Sequence, residues 1–217
     1  MTNGKQRLAL LGASGSIGQA TLNVVRCSDR YEVRAMSGYK NSTTMIALIR
    51  EFRPAHVVMV DEQAAAVVAA KVTDLDVQVE AGPTALIALA CAEDIDTVIA
   101  GIVGCAGLAS TLAAIHADKR ILLANKESLV VGGHLVRQAI AQSQARVLPI
   151  DSEHNALFQC MPARLQQQAS IDQAACEAMH IERLVLTASG GPFLHWNDQQ
   201  LATVTIEQAC KHPNWSM

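Results

Sequence analysis

The sequence predicts an α/β protein with a doubly wound, mostly parallel, Rossmann-like sheet, followed by the start of an α+β domain. Short apolar runs alternate with helical stretches up to about residue 150, as in consecutive βαβ units. A glycine-rich turn joins the first apolar run to the first helix. Beyond residue 150 this alternation gives way to a stretch rich in Gln and Ala. We therefore divide the 217 residues into domains 1–150 and 151–217.

The predicted strands are apolar runs bounded by glycine or polar residues. They cover residues 7–11, 31–36, 56–60, 77–80, 97–102, 120–123 and 146–150, with one more at 183–187. Helical periodicity and start signals place helices at residues 15–27, 42–52, 61–71, 84–92, 108–117 and 127–143. Each crossover between parallel strands is expected to be right-handed.

Composition excludes several classes of protein. Half of the residues are hydrophobic and 3% are aromatic, so an aliphatic core is expected. A net charge of −3 favours neither nucleic acid nor an anionic membrane as a partner. The uncharged segment 97–117 is long enough to span a bilayer, but its glycines divide it into a strand, a turn and a helix. The six cysteines are widely spaced, which indicates reduced, mostly buried thiols. No targeting segment is visible, so a cytoplasmic location is expected.

A GxxGxxG turn runs from Gly12 through Gly15 to Gly18, between the first strand and the first helix. Glycines permit a tight turn and let the backbone approach a pyrophosphate at the helix N-terminus. Ser14 and Ser16 add hydroxyl donors. The turn predicts dinucleotide binding; the alternative is a glycine-rich turn without a ligand.

The end of the second strand distinguishes the two nicotinamide cofactors. NAD-binding proteins usually carry an acidic residue there, on the ribose 2′-hydroxyl. This chain has instead Gly38, Tyr39, Lys40 and Asn41, which favours the 2′-phosphate of NADP(H). Alternatively, Lys40 is a solvated loop cation.

Two polar segments follow later strands and are candidate sites. Asn125, Lys126 and Glu127 emerge at the carboxyl edge of the sheet, where α/β proteins bind ligands, although a simple helix start has the same pattern. Asp151 and Glu153 lie two residues apart and can present both carboxylates to Mg²⁺ or Mn²⁺. Helix capping is the alternative for that pair.

The last motifs give weak signals by themselves. Ser189 precedes two glycines, a turn that can bind a phosphate group. His212 and Trp215 lie in a polar segment that suggests a lid.

Taken in order, GASGSIG, LLANKESLV, PIDSEHNALFQ and HPNWSM resemble the 1-deoxy-D-xylulose 5-phosphate reductoisomerase family over the whole chain. The resemblance implies an NADPH- and metal-dependent enzyme that isomerises and reduces a phosphorylated ketose, 1-deoxy-D-xylulose 5-phosphate, to 2-C-methyl-D-erythritol 4-phosphate. It makes 1–150 the NADPH-binding domain and 151–217 an incomplete catalytic and metal-binding domain.

The resemblance also assigns roles to individual residues. Cofactor contacts are expected at Ser14, Gly15, Ser16, Ile17, Gly38, Tyr39, Lys40, Asn41, Asn125 and Glu127. Substrate contacts are expected at Lys126, Ser152, Glu153, Ser189 and His212, with Lys126, Glu153 and His212 as the catalytic residues. Asp151 and Glu153 are expected to ligate Mg²⁺, Mn²⁺ or Co²⁺.

Family members extend beyond the HPNWSM motif and form homodimers. We therefore expect this chain to lack a further acidic metal ligand and to have little or no turnover. Two alternatives are a different NADP-dependent reductase and a non-catalytic NADPH-binding fragment.

Overall fold

The computed structural model of the protein describes residues 4–168, 171–188 and 190–211. The strands in these residues are β1 (Gln6–Leu11), β2 (Tyr31–Gly38), β3 (His56–Met59), β4 (Gln78–Ala81), β5 (Thr97–Ala100), β6 (Arg120–Leu123) and β7 (Arg146–Pro149). The helices are α1 (Ser16–Arg26), α2 (Ser42–Phe52), α3 (Glu62–Lys71), α4 (Gly82–Ala90), α5 (Leu108–His116), α6 (Glu127–Ala141), α7 (Ser152–Cys160), α8 (Ala163–Gln166), α9 (Gln173–Ala178), α10 (Asp198–Leu201) and α11 (Ile206–Ala209). Short 3₁₀ turns occupy Gly104–Gly107 and Gly191–Phe193.

The strands form one sheet in the order β4-β3-β2-β1-β5-β6-β7, and each neighbouring pair is parallel. Strands β2 to β4 extend the sheet on one side of β1, and β5 to β7 extend it on the other. The direction of winding therefore reverses between β1 and β5, which is where doubly wound sheets bind their ligands. The predicted fold class is confirmed.

Two aliphatic cores cover the two faces of the sheet. In β1, Leu8 and Leu10 point to one face, where they join buried residues of α1, α2 and α3. Ala9 and Leu11 point to the other face and pack with residues of α4, α5 and α6. In the described part of the chain the buried hydrophobic residues are Ala, Val, Leu and Ile, as the composition predicts, together with Met36, Met45 and Met59.

Polar side chains that follow strands cap the N-termini of several helices. Asn41, Asp61 and Asp151 accept a hydrogen bond from the third residue beyond them and so cap α2, α3 and α7. Helix α6 has a non-helical residue, Gly132, in its interior. Most predicted helix boundaries lie within two residues of those observed.

The predicted strand at residues 183–187 is wrong. This segment has no regular secondary structure, and Leu184, Val185 and Leu186 are all exposed. A strand needs a neighbouring backbone to pair with, and no strand in the described ranges lies beside this one. The domain boundary near residue 150 stays a prediction.

Segment 97–117 divides into β5, the 3₁₀ turn and α5, as predicted. Across the described part of the chain, none of the helices combines the length and apolar character that crossing a membrane requires.

Candidate cofactor and metal site

The glycine turn lies at the point where the winding of the sheet reverses. Gly12 has φ +87°, a conformation that favours glycine. A Cβ atom on Gly12 would lie 3.1 Å from the carbonyl oxygen of Gly101, which directly follows β5. The Gly12 N–H donates to the Ser37 hydroxyl at 3.1 Å, and the Ala13 N–H donates to the Ser37 carbonyl at 2.8 Å. The turn is thus held between β2 and β5.

Helix α1 begins in this turn without a side-chain cap. Gly15 is the N-cap residue, and neither a capping side chain nor an acidic residue occupies the first turn of this described helix. Gly15 and Ser16 are exposed, while Ser14 and Ile17 are half-buried. The free N–H groups and the helix dipole together favour an anion at this position. This geometry suits an anionic group such as a pyrophosphate.

At the end of β2, Gly38 is buried and the next residues are exposed. The Lys40 ammonium lies 3.7 Å from Asp61 Oδ2 and 5.3 Å from the centroid of the Tyr39 ring. The Asn41 side chain accepts a hydrogen bond from the Thr44 N–H and caps α2. Lys40 therefore forms a long, largely exposed ion pair, and its contact with a 2′-phosphate stays a prediction.

Sequence reasoning missed Asp61 as a member of this site. Asp61 follows β3 and accepts a hydrogen bond from the Ala64 N–H at 2.9 Å, which fixes its carboxylate at the start of α3. The available signal was its position directly after a strand that neighbours β2, because parallel strands bring their carboxyl ends to one edge.

The second predicted segment divides into buried and exposed residues. Asn125 is 3% exposed, and its amide contacts the backbone of residues 102, 104 and 128. Lys126 is exposed and Glu127 is half-buried in the first turn of α6. Lys126 is thus the residue of this segment whose charge is open to a ligand.

Lys126 follows β6, and Asp151 and Glu153 follow the neighbouring parallel strand β7, so all three residues lie at the same edge of the sheet. The pKa of Glu153 lies below its usual range because its own N–H and the Ser152 hydroxyl, at 3.0 Å, donate to its carboxylate. The positive charge of Lys126 lowers this pKa further, and the negative charge of Asp151 opposes the shift. One edge of the sheet therefore carries all four residues for which catalytic, substrate or metal roles are predicted here: Lys126, Asp151, Ser152 and Glu153.

Asp151 caps α7, so the capping alternative describes its contacts in this structure. Its Oδ2 atom accepts a hydrogen bond from the His154 N–H and lies 2.6 Å from His154 Nδ1. Together with Glu153 it offers hard oxygen donors, the type that Mg²⁺ and Mn²⁺ prefer. Among the described residues, no group of three or more His, Cys, Asp or Glu side chains is placed to hold a metal ion. The pair fits part of a metal site.

Ser189, His212 and Trp215 lie outside the described residues, so their predicted roles stay predictions. After Ser189, Gly190 and Gly191 have φ +80° and +63°. A cavity of about 760 Å³ is lined by Met161 and by residues between Ile171 and Leu184, a segment that includes α9. None of the predicted site residues in the described ranges lines it.

A parallel sheet whose first helix begins without a side-chain cap in a glycine turn, at the point where the winding reverses, is typical of dinucleotide-binding α/β proteins. The family model described as 1-deoxy-D-xylulose 5-phosphate reductoisomerase matches residues 8–133, and the model of the C-terminal domain of that enzyme matches residues 147–217. The chain belongs to the 1-deoxy-D-xylulose 5-phosphate reductoisomerase family.

Individual relatives agree with this assignment. The chain is 47% identical over 213 residues to the reductoisomerase of Laribacter hongkongensis, covering 98% of this chain and 53% of the relative. It is 49% identical over 216 residues to that of Pseudomonas paraeruginosa, covering 98% and 52%. The chain thus spans about half the length of the curated relatives it matches.

Solved structures are similar over the same extent. A crystal structure of DOX-P reductoisomerase in complex with NADPH, fosmidomycin and magnesium superposes with a TM-score of 0.85 at 46% identity, covering 98% of this chain and 52% of that one. The enzyme from Zymomonas mobilis in complex with NADPH gives a TM-score of 0.84 at 36% identity, covering 97% and 52%.

Proposed function

We propose that this chain binds NADPH across the carboxyl ends of β2, β1 and β5. The observation that carries the proposal is the uncapped α1 N-terminus at Gly15, which lies in a glycine turn where the sheet reverses its winding. The pyrophosphate contacts the backbone from Ser14 to Ile17, and the 2′-phosphate contacts Lys40. Similar solved enzymes contain NADPH, which supports this assignment.

The activity proposed for the whole protein is the NADPH- and metal-dependent conversion of 1-deoxy-D-xylulose 5-phosphate to 2-C-methyl-D-erythritol 4-phosphate. Asp151 and Glu153 hold Mg²⁺ or Mn²⁺, which supplies Lewis acidity toward the substrate oxygens. Lys126 adds positive charge beside Glu153, where negative charge develops on the substrate. Ser152 contacts the substrate, Ser189 binds its phosphate group, and His212 belongs to the lid that excludes water.

For the 217-residue chain by itself we propose NADPH binding with little or no turnover. Two carboxylates without a third ligand in the described residues hold a divalent cation weakly. The family match over both parts of the chain speaks against the alternative of an unrelated NADP-dependent reductase.

Titration with NADPH, with NADH as the control, tests the binding proposal. We expect NADPH to bind more tightly than NADH. Equal affinities would remove the role of Lys40, and failure of both to bind would remove the proposed function. NADPH oxidation in the presence of substrate and Mn²⁺, at a rate typical of an intact family enzyme, would contradict the low turnover.

We further propose a cytoplasmic location and, for the whole protein, a homodimer. All six cysteines lie in the described residues and are free, which suits a reducing compartment. The expectation that they are mostly buried is wrong, because Cys27, Cys105, Cys160 and Cys210 are exposed. The homodimer rests on the family resemblance, and light scattering of the purified protein tests it.

A further inference from the structure

Asn125 uses its whole side-chain amide to hold neighbouring backbone. Its Nδ2 atom donates to the carbonyl oxygens of Ile102 and Gly104, the latter at 2.8 Å. Its Oδ1 atom accepts a hydrogen bond from the Ser128 N–H at 3.0 Å. Both amide hydrogens and the amide oxygen are therefore engaged by the protein itself. The side chain is held between the end of β6, the start of α6 and the loop after β5.

The loop after β5 is shaped around this amide. A Cβ atom on Gly107 would overlap the Asn125 Nδ2 atom and would lie 3.1 Å from the Ile102 carbonyl oxygen. Position 107 therefore accepts only glycine while Asn125 keeps its place. The conformation of residues 102–107 depends on contacts with a residue from a different strand.

The loop that Asn125 holds leaves the Val103 side chain exposed at its surface. The carbonyl groups on both sides of it, those of Ile102 and Gly104, are the two that Asn125 holds, yet Val103 itself is 83% exposed. It lies three residues beyond the end of β5 at Ala100. The adjoining Gly101 donates its N–H to the Leu11 carbonyl at 3.0 Å, so this loop lies beside the glycine turn.

A bound NADPH would lie with its adenosine half and its nicotinamide half on opposite sides of β1. A dinucleotide crosses the point where the winding of a doubly wound sheet reverses. Lys40, at the end of β2, marks the adenosine side. The nicotinamide half then extends over the end of β5, where Val103 offers an apolar surface to one face of a flat ring.

We propose that Val103 packs against the nicotinamide ring of NADPH and that Asn125 is the positioning residue that holds Val103 there. The proposal rests on the NADPH binding proposed for this chain. It assigns Asn125 an indirect role, through the backbone of residues 102 and 104, in place of a direct contact of its side chain with the cofactor.

Paired ligands separate this role from general damage to the site. NADPH and 2′-phospho-ADP-ribose share the adenosine, the 2′-phosphate and the pyrophosphate, but the second lacks the nicotinamide. We expect Val103→Ser to lower the affinity for NADPH about three- to tenfold, because an apolar contact is lost. The affinity for 2′-phospho-ADP-ribose should not change, and calorimetric titration measures both. Val67→Ser, at an exposed valine of α3, is the matched control and leaves both affinities unchanged.

Asn125→Asp tests the positioning role. Asp keeps the oxygen that accepts from Ser128 but cannot donate to the carbonyls of Ile102 and Gly104. We expect the same selective loss of NADPH affinity. Gly107→Ala displaces the amide from the other side and is expected to have the same effect, which provides a second test if Asn125→Asp does not fold.

Three results would overturn the proposal. They are an unchanged NADPH affinity in Val103→Ser, an equal loss for both ligands in that variant, and a folded Asn125→Asp or Gly107→Ala variant that binds NADPH normally. If the unchanged chain bound neither ligand, the proposed NADPH binding itself would fail. A fourth result, equal affinities of the unchanged chain for the two ligands, would also overturn this proposal but would leave the proposed NADPH binding in place.

Discussion

Gly18 in the first turn of α1 lies directly against the backbone of Ala13 in the glycine turn. A Cβ atom on Gly18 would overlap the Ala13 carbonyl group. Both residues are buried. This close approach lets α1 start at the edge of the sheet, so that its free N–H groups reach the position proposed for the pyrophosphate.

Gly18→Ala is expected to destabilise the protein by about 2 kcal/mol, because backbone must move to admit a methyl group. It is also expected to weaken the binding of NADPH, since the N-terminus of α1 is displaced. Gly133→Ala is the matched control: a Cβ atom on Gly133 of α6 meets nothing within 4 Å. That change should alter the stability by no more than about 0.5 kcal/mol, because the added methyl group meets open space and Gly133 adjoins the non-helical Gly132. Urea denaturation measures both, and equal effects of the two substitutions would contradict the close approach.

Lys40→Met is expected to lower the affinity for NADPH about tenfold and to leave the affinity for NADH unchanged, because only NADPH carries the 2′-phosphate. Fluorescence titration with each cofactor measures the two affinities. A uniform loss for both would show that Lys40 does not discriminate between them.

Asp61→Asn is expected to act in the opposite direction. The carboxylate of Asp61, 3.7 Å from the Lys40 ammonium, competes with a phosphate for that cation. Asn removes the charge and still caps α3. The affinity for NADPH should rise about two- to threefold, as expected for one exposed ion pair. A fall in affinity would mean that Asp61 is needed to orient Lys40.

Asp96 predicts a pH-dependent contribution to stability. Hydrogen bonds from the Arg7 side chain, at 2.7 and 3.1 Å, lower the pKa of Asp96, and the Arg7 N–H donates at 2.8 Å. A folded-state pKa below the unfolded value stabilises the protein above that unfolded value, near 3.9, and the contribution is lost as the pH falls through the folded-state pKa.

Asp96→Asn should therefore destabilise the protein by about 0.5–1 kcal/mol at pH 7, a figure already reduced for solvent screening of a partly exposed pair. The difference should shrink as the pH falls below about 4. Chemical denaturation at several pH values measures it, with the exposed Asp29→Asn as control. A difference that is constant with pH would exclude the ionised carboxylate as its cause.

Glu153→Gln and Asp151→Asn are expected to weaken Mn²⁺ binding about tenfold each by removing a charged ligand, without changing NADPH affinity. Asn at position 151 keeps the cap of α7, so the helix start is preserved. Electron paramagnetic resonance of free Mn²⁺ measures the binding, and Glu177→Gln on α9 is the control. Equal Mn²⁺ affinities in all three variants would place the metal elsewhere.

Much of the fold was predictable because its signals are local. Residues 42–52 were predicted as a helix with the bounds observed for α2, and β6 was predicted with its observed bounds. The strand predicted at 183–187 failed because an apolar run becomes a strand only beside a partner. The GASGSIG turn was recognisable because its glycines meet a steric requirement within a few residues.

The sequence alone determined the fold class, the position of the glycine turn and the family resemblance, since apolar periodicity and short motifs are properties of neighbouring residues. Only the tertiary structure decided that Lys40 lies 3.7 Å from Asp61, that Lys126 and Glu153 lie at the same edge of the sheet, and that the Asn125 amide holds the loop around Val103. These pairs meet because the strand order brings distant strand ends to one edge of the sheet. The strand order depends on how the helices pack on the two faces of the sheet, and no short stretch of residues contains a signal for it.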